Sequence, residues 1–119
     1  MKHVDLLSKM ELFVEASTKE LWKSDKSKIS GNGAFANTNI KKNKLIGLAF
    51  EKVRDTGKPD KDYRRTELGA LVNHSKTPNV KLFEKGNKFY YISCTEIQKD
   101  QELTIDYDSF PWEGEREFN

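Results

Sequence analysis

A polar elbow between two apolar segments constrains this chain more than any other feature. Residues 71–79 read Leu71-Val72-Asn73-His74-Ser75-Lys76-Thr77-Pro78-Asn79. The stretch is too polar for a strand interior and too rich in turn formers for a helix. Hydrophobic residues stand on either side of it, over 68–72 and again over 80–83. A polar turn pinned between two buried segments is where a rigid scaffold usually presents a site. Gly31-Asn32-Gly33 upstream and Glu102-Leu103-Thr104-Ile105-Asp106-Tyr107 downstream complete a three-part pattern.

The rest of the chain is short apolar runs separated by turn formers. Residues 12–14, 34–36, 45–50, 80–84 and 89–94 read as strands, the last two joined as a hairpin across Lys85-Gly86-Asn87. Ser17 and Glu20 have capping-box spacing, which predicts a helical turn through Leu21 and Trp22. Residues 24–28 and 55–61 read as surface loops, and 63–71 as a short helix with Leu68 and Leu71 on one face. Two segments share the pattern Ile-x-Lys-(Asn/Asp)-x-x-(Ile/Leu), beginning at Ile40 and Ile97. Asn43 and Asp100 fall at equivalent places, and both residue types tolerate a left-handed turn. The sum is a mainly β chain with short helices.

Length and composition narrow the class. A chain of 119 residues makes one domain, over 1–119, with room for a core that needs neither disulfide nor metal. Charged residues make up 34%, yet the formal net charge is only +2. That balance argues against a dedicated nucleic-acid binder, which usually carries a strong basic excess. Lys41, Lys42 and Lys44 read as a solvated turn. One cysteine, Cys94, permits no internal disulfide and suits a reducing compartment such as cytoplasm or nucleus. One Cys and two His do not supply a four-ligand zinc site, and no metal is expected. No apolar run reaches the roughly 20 residues that cross a bilayer, and the first residues lack the apolar core of a signal peptide.

The three motifs in their order and spacing resemble the signature of SET-domain protein-lysine methyltransferases. They are Ser30-Gly31-Asn32-Gly33-Ala34-Phe35-Ala36, Asn73-His74-Ser75-Lys76-Thr77-Pro78-Asn79 and Glu102-Leu103-Thr104-Ile105-Asp106-Tyr107. A lone Gly-x-Gly is weak evidence, but the second and third motifs together are specific. The resemblance covers about residues 12–112, with an aromatic tail over 108–119. It implies a β-clip SET fold of several small sheets, with the C-terminal segment threaded as a pseudoknot.

The implied cofactor is S-adenosylmethionine, and the implied substrate is a lysine-bearing protein entering by a narrow channel. Carried over residue by residue, Gly31, Asn32, Gly33, Ala34 and Phe35 would line the cofactor. The two glycines would let the backbone approach it. Asn73 would bind its charged end, His74 would contribute mainly its backbone, and Trp112 would stack on the adenine. Tyr63, Tyr107 and Phe110 would line the lysine channel, and Tyr107 is the residue expected at the reacting centre. Free lysine has a pKa of about 10.4, so the amine must first lose a proton. A dry aromatic channel helps by disfavouring the charged form.

Lys76 stands where the family often has Cys, and the cysteine-rich flanking segments are absent. The link from Phe50 to Leu68 is also short, as in the minimal stand-alone SET proteins of viral type. One of these pairs as a dimer and acts on a histone, so a homodimer and a histone-like basic substrate are expected here. Glu113, Glu115 and Glu117 read first as a solubilising acidic end, with attraction of a basic peptide as the alternative. The alternative is a SET-like binding module with little turnover. The stretch 18–30 looks longer than usual and reads as an insertion.

Overall fold

The computed structural model describes residues 21–110. The expectations for residues 1–20, including the strand at 12–14 and the cap at Ser17, lie outside the described residues, as do Trp112 and the tail acids. Eight strands form three small sheets among the described residues. The first is the antiparallel hairpin of β1 (Trp22–Lys26) and β2 (Asn32–Ala36). The second has β3 (Leu45–Lys52), β4 (Tyr63–Arg65), β6 (Val80–Lys85) and β7 (Lys88–Ser93) in the order β4-β3-β7-β6. The third is a parallel pair of two-residue strands, β5 (Asn73–His74) and β8 (Thr104–Ile105). Two short helices, α1 (Pro59–Asp62) and α2 (Glu67–Leu71), lie on either side of β4. The fold class is mainly β, as the density of short apolar runs predicts.

Side-chain alternation shapes the core. Ile46, Ala49, Phe50, Phe89 and Tyr91 of the central sheet pack with Ala34 and Ala36 of β2, Leu68 and Val72 beside α2, and Ile97, Leu103, Ile105 and Phe110. β3 and β7 are buried along most of their length because the sheet is covered where they run through its middle. Small residues do the close packing. A Cβ on Gly69 of α2 would collide with the backbone carbonyl of Ala49, so only glycine lets this helix lie against β3.

The repeated turn is real. Asn43 (φ 65°) and Asp100 (φ 72°) are the non-glycine residues with left-handed backbone among the described residues. Ile40 and Ile97, which open the two units, form an antiparallel bridge with mutual backbone hydrogen bonds of 2.8 Å. Buried Ser93 anchors the first unit: its Oγ accepts from Lys44 N–H (2.8 Å) and donates to the Lys41 carbonyl (2.6 Å).

Four local expectations need correction. Leu21 is helical as expected, but Trp22 and residues 24–26 belong to β1, not to the helical turn and a loop, because pairing with β2 satisfies their backbone. The apparent insertion thus supplies one arm of a hairpin, Trp22–Lys26. The segment 63–71 is not one helix. Tyr63–Arg65 adds to the edge of β3, and Thr66 then caps α2 by accepting from Gly69 N–H while donating to Leu48 O. The loop at 55–61 carries one helical turn, started by Pro59, whose fixed φ suits a first helical position. Finally, Asn73 and His74 are strand residues, because a parallel partner from far along the chain outweighs their polarity.

Candidate functional site

The elbow and the third motif are laced together residue by residue. Asn73 pairs with Thr104 and His74 with Ile105, and Ser75 N–H donates to Ile105 O at 3.1 Å. Buried Asn79 closes the other end: its Nδ2 donates to Glu102 O (2.9 Å) and its Oδ1 accepts from Thr104 N–H (2.8 Å). Pro78 and Asn79 thus shape the turn through backbone contacts. Lys76, on the exposed rim, bridges to Asp106 (3.6 Å) and Asp108.

Tyr107 sits where these two segments meet. Its backbone N–H donates to His74 Nδ1 at 3.0 Å, and the two rings lie 5.0 Å apart. Asp106 caps the following 3-10 turn, Tyr107–Ser109, by accepting from Asp108 N–H. That turn sends Phe110 back under the Tyr107 ring, stacked at 5.6 Å. Phe110 in turn meets Phe50 edge-on at 5.6 Å, and Phe50 meets Tyr91 edge-on at 6.4 Å. The result is a continuous aromatic wall from the elbow into the core.

The electrostatics of this wall favour neutral hydroxyls. Burial pushes the Tyr107 phenol above its ordinary value, with Arg65 pulling partly the other way. Its hydroxyl donates only at 3.4 Å, to Val72 O, so it is weakly committed. Complete burial pushes Tyr91 up as well, and its hydroxyl has no hydrogen-bond partner among the described residues.

The second cluster joins the glycine motif to Asn73. Asn73 Nδ2 lies within hydrogen-bond distance of Ser27 Oγ (3.0 Å), Ser30 O (3.1 Å) and Glu102 Oε2 (3.0 Å). Gly31 adopts φ +49° and a Cβ there would meet nothing within 4 Å, so this backbone faces open space. Gly33 differs: a Cβ on it would collide with Glu102 Oε2. Its missing side chain makes room for a carboxylate of this same chain. Asn32 is exposed at the start of β2, Ala34 is buried, and Phe35 is half-buried with its backbone bridged to Glu102. Tyr63 packs on Phe89 at 5.5 Å, on the β4 side of the core. Asn73 is therefore joined to the 27–33 turn, while His74, Tyr107 and Phe110 form a second contiguous group on the other side of β5 and β8. Ser27 is the member of this cluster that sequence reasoning passed over, its signal being contact across the fold, and Glu102 stood in the third motif without a site role.

Residues 58–108 match the family model of the SET domain. No curated protein matches the sequence. The structure is similar to a candidate histone methyltransferase of Plasmodium falciparum, with TM-score 0.58 and 26% identity over 76% of this chain and 96% of that one. It is also similar in fold to Polycomb Repressive Complex 2 of Chaetomium thermophilum, with TM-score 0.56 and 14% identity; the match covers 76% of this chain but only 16% of that one. The sheets and the laced elbow are thus those of a SET fold. Residues 58–108 match a SET domain, and the fold they sit in is similar to that of a candidate histone methyltransferase structure.

Among the described residues, no group of three or more His, Cys, Asp or Glu side chains converges as a metal site. No helix among them is long and apolar enough to cross a membrane.

Proposed function

We propose that this chain is an S-adenosylmethionine-dependent protein-lysine N-methyltransferase with Tyr107 at its reacting centre. The observation that supports the reading is the junction itself: β5 carries Asn73, whose amide reaches the Ser30 carbonyl beside the open Gly31 backbone, and His74, which holds Tyr107. The donor set fits the cofactor. Asn73 Nδ2 faces three acceptors, which leaves Oδ1 available to accept from an ammonium. Bound S-adenosylmethionine would supply an electrophilic methyl group on a sulfonium, with the neutral thioether as the leaving group when the amine forms its new C–N bond. The backbone around Gly31, with Asn32 and Phe35, lines the cofactor while Gly33 and Ala34 support it from the buried side, His74 adds its backbone, and Trp112 is the residue for the adenine.

The chain's own task is alignment and exclusion of water. Tyr107 and Phe110 form the stacked wall of the lysine channel, with Tyr63 on the β4 side as its outer candidate, and aromatic walls disfavour a charged amine. The Tyr107 hydroxyl, kept protonated by burial, is a donor and acceptor poised at the channel end. The parallel pairing of β5 with β8 supports a C-terminal pseudoknot that closes this junction. The substrate is a lysine-bearing protein of histone-like basic character, and the chain acts as a homodimer.

The test is transfer of label from S-adenosylmethionine to histones and to cell lysate. Wild type labels lysine, and Tyr107→Phe loses about a hundredfold in rate, an effect on the scale of one positioned catalytic group. Cofactor binding without label in any lysate would reduce the chain to a binding module. Failure to bind the cofactor sinks the proposal.

A further inference from the structure

Glu102 takes no part in the reading above, yet it is the hub of the cluster around Asn73. Its Oε2 accepts from Ser27 Oγ (2.7 Å) and from Asn73 Nδ2 (3.0 Å) and fills the space over Gly33. Ser27 Oγ, in turn, accepts from the N–H groups of Ile29 (2.8 Å) and Ser30 (3.3 Å). Ser27 N–H donates to Gly31 O at 2.8 Å. One carboxylate oxygen therefore ties the whole 27–33 turn to Asn73 across the fold.

Two consequences follow from the chemistry of the groups. First, the Asn73 amide has one permitted orientation. Flipping it would aim Oδ1 at the Ser30 carbonyl and the Glu102 carboxylate, acceptor against acceptor. Second, Glu102 is only partly exposed and forms no ion pair among the described residues; its oxygen is met by neutral donors. A half-buried carboxylate without a cation leaves negative potential at the mouth of the glycine loop.

We propose that Glu102 is a positioning residue for the cofactor, resting on the methyltransferase reading above. With Ser27 it locks the 27–33 turn and holds Asn73 so that Oδ1 meets the ligand. The end recognised there is the ammonium of the amino-acid moiety, not its carboxylate.

Calorimetry with two probes tests this: S-adenosylhomocysteine, and its analogue lacking the amine. Glu102→Gln, which keeps the shape and removes the charge, weakens S-adenosylhomocysteine about tenfold, the scale of one charge-assisted hydrogen bond. The same variant changes the analogue less than twofold. Equal weakening of both probes would make Glu102 mere scaffolding and overturn the assignment, as would no weakening of either. Should Glu102→Gln fail to fold, Ser27→Ala decides: it weakens S-adenosylhomocysteine severalfold and Ser27→Thr restores it, whereas unchanged affinity in Ser27→Ala overturns the proposal. Wild type that binds both probes while the variants match it sinks this inference alone. Wild type that binds neither removes the methyltransferase reading with it.

Discussion

The backbone N–H of Tyr107 and the imidazole Nδ1 of His74 are joined at 3.0 Å. An N–H donor needs a lone pair on that nitrogen, so this bond is made by the tautomer that carries its proton on Nε2. The histidine of the elbow is thus a fixed acceptor that sets where Tyr107 begins its turn. Replacing it by Phe keeps a ring beside Tyr107 and removes the acceptor. His74→Phe is expected to cost about 1–3 kcal/mol, the usual penalty of a half-buried N–H left unpaired. Urea unfolding measures it, and a loss below roughly 0.5 kcal/mol, within the range of ordinary surface substitutions, would show the bond to be dispensable.

Gly69 is the tightest point of packing outside the site. Gly69→Ala drives a methyl into the Ala49 carbonyl, which belongs to the middle of β3 and has little freedom to move. Overpacking of this kind costs about 1–3 kcal/mol or more. The exposed neighbour Ala70 supplies the control, since Ala70→Ser on the same helix should change stability by less than about 0.5 kcal/mol. Similar melting temperatures for the two variants would contradict the packing argument.

Asn43 and Asp100 hold left-handed backbone that an ordinary side chain resists. Asn43→Ala and Asp100→Ala should each destabilise by about 1 kcal/mol. Asn43→Gly should be close to neutral, because relief at the turn offsets the greater freedom of the unfolded chain. Asp100→Gly should fare somewhat worse than Asn43→Gly, since it also removes the exposed ion pair with Lys23 at 2.6 Å. Chemical denaturation of the four variants checks the order.

Acid should loosen the 55–62 segment. Desolvation raises the Asp62 carboxyl, but hydrogen bonds from the Thr56 hydroxyl, Thr56 N–H and Gly57 N–H outweigh it, and the group titrates below its usual value. A depressed folded-state value contributes stability that is present above the unfolded value of 3.8 and lost as pH falls through the folded one. Wild type should therefore exceed Asp62→Asn in melting temperature at neutral pH, with the gap closing as pH falls below the unfolded value of 3.8 and through the lower folded one. A gap that persists unchanged into acid would assign the effect to packing.

Much of this architecture was legible because its cues are local. The β6–β7 hairpin followed from two apolar runs around Gly86 and Asn87, and the twin turns from an Asn and an Asp at matching places. The helix drawn over 63–71 failed because Tyr63, Arg64 and Arg65 have no strong local preference; the free edge of β3 decided their state. The 24–28 loop failed for the same reason, its partner strand lying across a turn. At the site, the three motifs carried Asn73, His74 and Tyr107, but Ser27 carried no signal of its own.

By itself, then, the sequence determined a mainly β chain with a polar elbow, left-handed turns at Asn43 and Asp100, and three motifs that belong together. Those properties follow from side-chain size, periodicity and backbone freedom within a few residues. Only the tertiary structure decided what Gly33 makes room for, which way the Asn73 amide faces and which nitrogen of His74 accepts. Each of these is a contact between residues far apart in the chain, namely Glu102 over Gly33 and Asn73, and Tyr107 on His74. Hydrogen bonds of this kind depend on a few tenths of an ångström, and that precision exists only once the sheets have packed.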